Sequence, residues 1–181
     1  MTLTIENIIN TINANIKAQI ACKTGLDASQ FRFFGLASLI RVKDESISYF
    51  QPTAVHNSGE CVSVSPDDCD AAGGYHRILS KTYQDGQQWG NTRETVETSE
   101  MKLVVWGFTR ALQMSQYDFE RDIIVPAMPD GISLVSTNFD SHQTATEEFK
   151  GMDYLIPPEE FMFSVKYRYQ WKFNRKCNKC N

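Results

Sequence analysis

The chain has 181 residues, of which 41% are apolar and 22% charged, and its formal net charge is −4. This excludes a collagen-like, disordered or disulfide-dense chain, and the length fits one domain able to bury roughly 70% of its unfolded surface. No apolar stretch reaches the roughly 18 residues of a membrane helix. Residues 1–7 lack the basic start and apolar core of a secretion signal, so secretion by that route is not expected.

The charge is unevenly distributed. Residues 1–60 carry five basic and five acidic groups, residues 61–160 seven basic and seventeen acidic, and residues 161–181 six basic and no acidic. An acidic body with a basic end complements a copy of itself, or touches a polyanion through that end alone. Five cysteines, Cys22, Cys61, Cys69, Cys177 and Cys180, are an odd number without a secretory context, and read as reduced thiols of a cytosolic protein.

In chain order, the first element is a helix. Ile5, Ile8, Ile9, Ile12, Ile16 and Ile20 form one apolar stripe at spacings of three and four. Thr4 is its expected cap, Glu6 suits its first turn and Gly25 its stop. Asn7, Asn10, Asn13 and Lys17 form the opposite, polar face. Residues 31–42 and 47–50, joined by a charged turn, predict a hairpin, with Pro52 ending or edging its second strand. Residues 56–74 read as loop around the alternating run Cys61-Val62-Ser63-Val64-Ser65, with Gly73-Gly74 as turn chemistry.

Residues 75–83 predict a strand. The polar stretch beyond, at about 85–100 and including Asp85-Gly86-Gln87-Gln88-Trp89-Gly90-Asn91-Thr92-Arg93, predicts an extended loop. Residues 101–108 are a near-continuous apolar strand that belongs in the centre of a sheet. A second helix begins near Ser115, with Asp118 completing a capping pattern and Pro126 and Pro129 ending it. Residues 132–139 predict a strand, and 144–150 a short helix capped by Thr144 and stopped by Gly151.

The strongest signal is the last. Phe161, Phe163, Val165, Tyr167, Tyr169, Trp171 and Phe173 alternate without a miss against Met162, Ser164, Lys166, Arg168, Gln170, Lys172 and Asn174. That is a strand with one buried face, longer than about 40 Å at roughly 3.3 Å per residue. Most strands have about five or six residues, so this one curls hard or projects beyond its domain. The fold class is α+β: a mostly antiparallel sheet, an N-terminal helix and a second helix packed on one face, a long C-terminal strand, and a basic tail at about 174–181, in a single domain 1–181.

No catalytic constellation assembles from these residues. Cys177-x-x-Cys180 has the spacing of half a zinc knuckle, but Cys61, Cys69, His56 and His76, the other available ligands, lie in unrelated segments. The three histidines, His56, His76 and His142, form no helical metal pair, and a nucleophile and base pair would join His76 to a cysteine such as Cys61 or Cys69. Asp67, Asp68 and Asp70, or Asp118, Glu120 and Asp122, are acidic enough for a hard cation but lack a calcium-loop spacing. No metal, cofactor or catalytic residue is therefore expected. The basic end interleaves with aromatics as a nucleic-acid platform would, yet the pleat puts aromatics and bases on opposite faces.

The order of helix 5–20, hairpin 31–50, strand–helix–strand unit 101–139 and final strand 161–173 resembles that of bacteriophage tail-terminator and tail-completion proteins. The Ile- and Asn-rich composition also resembles structural proteins of crAss-like gut phages, whose short tails contain a stacked-ring barrel. The resemblance implies a virion structural protein, made in the host cytoplasm, that closes into a ring in the neck or tail, stacks on adjacent rings and lets DNA pass passively. It implies no catalysis and no membrane. The residues expected at contacts between copies or rings are Trp89 and Arg93 in the polar loop, and Lys166, Arg168, Lys172, Arg175, Lys176 and Lys179 at the basic end. The alternatives are a small α+β enzyme with a Cys/His or carboxylate site, and a nucleic-acid-binding module using the basic end.

Overall fold

The computed structural model describes residues 4–44, 47–55, 61–64, 66, 71–89, 92–151 and 155–176. Helix α1 is Ile5–Thr24. The Thr4 hydroxyl accepts from the Asn7 amide at 3.3 Å, and Gly25, at φ 71°, closes the helix by donating to the Ala21 carbonyl. Strands β1 (Phe31–Asp44), β2 (Ile47–Val55) and the short β3 (Cys61–Ser63) follow, then two long strands, β4 (Ala72–Trp89) and β5 (Thr92–Phe108). Helical turns α2 (Thr109–Leu112) and α3 (Gln116–Phe119) lead through a π turn, Glu120–Ile124, into α4 (Val125–Ala127). Strand β6 (Ile132–Asn138), helix α5 (Ser141–Glu148) and strand β7 (Glu160–Lys176) complete the order. No described helix is long and apolar enough to cross a membrane.

The strands form one seven-stranded sheet in the order β3-β2-β1-β4-β5-β7-β6. Only β1 and β4 pair in parallel; every other pair is antiparallel. The fold is α+β, and the long C-terminal strand runs for 17 residues. It pairs with β5 without a register break from Phe108↔Glu160 to Thr92↔Lys176.

Two cores lie on the two faces of the sheet. On one, the α1 isoleucines Ile8, Ile9, Ile12, Ile16 and Ile20 pack with Phe119, Ile123 and Ile124 over Leu103, Val105, Phe161, Phe163 and Val165. On the other, Val104, Trp106, Tyr75 and Met162 meet Ala145 and Phe149, at the end of α5. The helices are thus not confined to one face. The inner halves of β5 and β7 are buried on both sides, and the strict alternation of β7 concealed this because Met162 and Ser164 stand among its polar-face residues yet are buried.

Several local expectations change for physical reasons. Gly73 and Gly74 lie inside β4 rather than in a turn. A Cβ on Gly73 would overlap the Trp106 ring, and one on Gly74 would sit 2.6 Å from the Val104 carbonyl oxygen. Pro52 lies within β2. Its carbonyl accepts from Val64 at 2.9 Å, so its nitrogen faces the side where three-residue β3 has already ended, and no ladder bond is lost. Pro126 does not end its helix. It falls in the first turn of α4, where a missing amide is tolerated, and the helix stops at Ala127. Helix α5 is capped by Asp140, whose carboxylate accepts from Gln143 at 2.8 Å, while Thr144 is buried. Of the stretch 85–100, residues 85–89 and 92–100 are not loop but strand, the former in β4 and the latter in β5 between β4 and β7, and residues 90 and 91 lie outside the described residues. The polar side chains of 92–100 are partly or, at Thr95 and Ser99, fully buried, so polarity here does not mean the absence of a ladder.

Gly73→Ala is expected to destabilise the fold by about 1–3 kcal/mol, because Trp106 must move to admit one methyl. Urea denaturation at constant m-value checks this; an unchanged midpoint contradicts the packing described.

Candidate functional site

Two polar clusters are buried beneath the helices. His76 is fully buried; its Nδ1 lies 2.8 Å from the Tyr167 hydroxyl and its Nε2 2.9 Å from Asn13 Oδ1. Asn13 donates its amide to the Phe34 carbonyl at 2.8 Å, so its oxygen must accept from His76. Nε2 therefore carries the proton and Nδ1 accepts from Tyr167. Asn13, expected on the exposed face of α1, is buried because it completes this triad. Burial pushes His76 down to about 3, and raises the Tyr167 hydroxyl above its ordinary value.

On the other face Glu148 of α5 is fully buried. It accepts from the Tyr75 hydroxyl at 2.7 Å, from Arg77 at 2.8 Å and from Lys102 at 2.8 Å. Lys102 also donates to Glu147 at 2.8 Å, which, with the charge of Lys166 as a smaller contribution, holds that carboxyl below its usual range. Desolvation first, then the charge of Glu148, raises the Tyr75 hydroxyl well above its ordinary value. The donors saturate Glu148 and fasten α5 to β4 and β5.

The first of these clusters engages His76, one of the candidate residues of the sequence. Both His76 nitrogens are engaged by Tyr167 and Asn13, and Cys61 is exposed on β3, so the structure does not pair Cys61 with His76. Asp118 and Asp122 are both bound by Arg121, at 2.9 and 2.8 Å, and Glu120 accepts from Thr137 at 3.1 Å. Among the described residues no group of three or more His, Cys, Asp or Glu is placed to hold a metal. His56, Asp67, Asp68, Cys69, Asp70, Cys177, Lys179 and Cys180 lie outside the described residues.

The feature that remains is an arm. β1 pairs with β4 only as far as His76, and β6 pairs with β7 only as far as Tyr169. A cleft lined by residues 36–39, Arg77 and Ile78 marks where β1 and β4 part. Beyond these points, among the described residues, β4, β5 and β7 continue with no further strand paired on them. The seven β7 residues after Tyr169 extend about 23 Å at roughly 3.3 Å each.

The arm has two different faces. On the α1 face, half-buried Tyr169, Trp171 and Phe173 line a groove of about 440 Å³ with Thr4, Ile5, Lys81 and Glu97. The Tyr169 hydroxyl is raised above its ordinary value by desolvation first and then by Glu97. The opposite face carries Lys166, Arg168 and Lys172. The acidic and basic segments meet within one chain here: Arg168 with Glu100 at 3.7 Å, Lys172 with Glu94 at 3.4 Å, and Arg93 with Asp85 at 2.9 Å. They are therefore not wholly reserved for a neighbouring copy, as their separation in sequence suggested. Exposed pairs of this kind contribute about 0–1 kcal/mol each.

The register brings together residues far apart in sequence. Trp89↔Thr92↔Lys176 and Gln88↔Arg93↔Arg175 place Trp89, Arg93, Arg175 and Lys176 at one end of the arm. Lys166, Arg168 and Lys172 follow along β7 toward the core. Sequence reasoning missed the outer β4 residues Lys81, Tyr83 and Asp85. The signal that could have found them was the length of β7, since a strand of 17 residues requires partners that reach as far.

His76 has a measurable consequence. Its folded pKa is about 3 against 6.5 for the free side chain, so between these values the unfolded chain binds a proton that the folded chain refuses. Stability is then full above pH 6.5 and falls on acidification by about 1.4 kcal/mol per pH unit. His76→Gln is expected to flatten the slope of unfolding free energy between about pH 6.5 and 5; an unaltered slope contradicts the neutral, buried imidazole.

No known family model matches this chain, and no curated protein matches it.

Proposed function

We propose that the protein is a virion structural protein that forms a ring in a phage neck or tail by self-association. The observation that carries this reading is the three-stranded arm, in which β4, β5 and β7 run past the last β1 and β6 pairings to Trp89, Thr92 and the basic end of β7. A domain stabilises itself without such an extension, whereas a ring subunit uses one to reach its neighbour. Within this reading the partners are copies of the same chain and the adjacent neck or tail rings, DNA passes the lumen without being bound, and the protein resides in the virion after synthesis in the host cytoplasm. The nucleic-acid alternative is weakened because Arg168 and Lys172 already face Glu100 and Glu94.

Light scattering at low and moderate salt tests the reading. The expected result is one species of about six or more copies, or a concentration-dependent shift toward one. Trp89→Ala is expected to weaken that assembly at least tenfold in concentration while leaving the monomer folded. A 20.6 kDa species at every concentration contradicts the reading, and assembly unchanged by the substitution removes Trp89 from the joint.

A further inference from the structure

We propose, with the ring reading as premise, that neighbouring copies join edge to edge through the arm. The outer edge of β4 at Lys81, Tyr83 and Asp85 pairs in parallel with the outer edge of β7 at Gln170, Lys172 and Asn174 of the next copy.

Two backbone bonds establish which groups point outward. The Phe108 amide donates to the Ala71 carbonyl at 3.1 Å, and the Thr109 amide to the Glu159 carbonyl at 2.8 Å. Successive residues of a strand bond to opposite sides. Even-numbered residues of β5 therefore bond toward β4 and odd-numbered ones toward β7. The unbroken β5–β7 register turns the odd residues of β7 toward β5 and leaves Gln170, Lys172 and Asn174 directed outward. On β4, Ser80, Thr82 and Gln84 face Glu100, Thr98 and Val96, so they bond inward and Lys81, Tyr83 and Asp85 bond outward. Among the described residues no strand takes up β4 past His76 on that side, or β7 past Tyr169.

The two edges fit one another in direction and in face. By the same alternation Ile78 on β4 and Lys176 on β7 also bond outward. β4 and β7 are both antiparallel to β5, hence parallel to each other, so a rotation about an axis along the arm sets β4 of one copy beside β7 of the next in the same sense. Such a head-to-tail joint is heterologous, the type that forms a ring when its rotation closes. The register Tyr83↔Glu97↔Trp171 puts Tyr83 on the same face of the sheet as Trp171 and Phe173. Ser80, Thr82 and Gln84 meet Gln170 and Lys172 on the other face. Each arm carries both halves of the joint, which is the requirement for a second copy and not for a foreign strand. The remaining edges are poorer: β3 has three residues, and β6 is broken by a bulge between Leu134 and Ser136.

Proline at an outward position removes the edge amide without breaking the bond to β5. Lys81→Pro and Lys172→Pro are each expected to remain at the monomer mass, while Lys81→Ala and Lys172→Ala, which keep the amide and lose only the side-chain contact, still assemble. A 1:1 mixture of the two proline variants is expected to give a species of two chains and nothing larger, because each supplies the edge the other lacks. A mixture that stays monomeric, or folded proline variants that assemble like the parent, overturns the joint and leaves the ring reading standing. A parent chain that never assembles overturns both. Should proline unfold the arm, amide exchange of the parent decides the matter: segments 78–86 and 169–176 gain protection on assembly, and equal exchange in monomer and assembly overturns the joint.

Discussion

β5 is paired from end to end on both sides, to β7 without a break and to β4 with two register shifts. Every other part of the molecule depends on that. An extended segment as polar as 92–100 has no apolar burial to hold it, and a two-stranded hairpin alone is marginal in water. A third strand that satisfies the second row of backbone groups removes this weakness. The long alternation of β7 supplies the third strand, and its length determines how far the arm reaches.

Toward the other end the same three strands become the centre of the protein. Leu103 and Val105 point to one core, Val104 and Trp106 to the other, and Trp106 lies across Gly73 because no side chain is there to prevent it. Each face is then fixed by a buried polar cluster as well as by apolar contact. Asn13 joins α1 to His76 of β4 and to the Phe34 carbonyl of β1, while Glu148 joins α5 to Tyr75, Arg77 and Lys102. Shifting either helix would leave a buried polar group unpaired, at a cost of about 1–3 kcal/mol. Apolar packing holds the helices on the sheet, and these bonds select the position.

What was legible in the sequence follows from which signals are local. The α1 stripe with Thr4 and Gly25, the alternation of β7 and the apolar run at Met101 in β5 are periodic or adjacent signals, and each element forms where the pattern places it. The arm was not legible because 85–100 lacks apolar alternation and contains Gly86 and Asn91; the strand character of 92–100 comes from pairing with β7, about eighty residues away in the chain. The buried roles of Asn13, Ser164 and Glu148 were equally hidden, since a polar side chain becomes a core residue only when a distant partner meets it. Of the expected contact residues, Trp89 and Arg93 gathered with Arg175 and Lys176 by register, a proximity no spacing rule could give.

The central claim is that the polar stretch before the apolar half of β5 is a strand held between two others. The most direct test is nuclear magnetic resonance on the chain at a concentration where it is monomeric. The ladder places Val96 opposite Lys172 and Thr98 opposite Gln170 in pairs that do not exchange hydrogen bonds, where Hα protons approach most closely. Strong Hα–Hα cross-peaks for both pairs are the predicted result. Averaged, coil-like shifts for 92–100 without those cross-peaks would contradict the account.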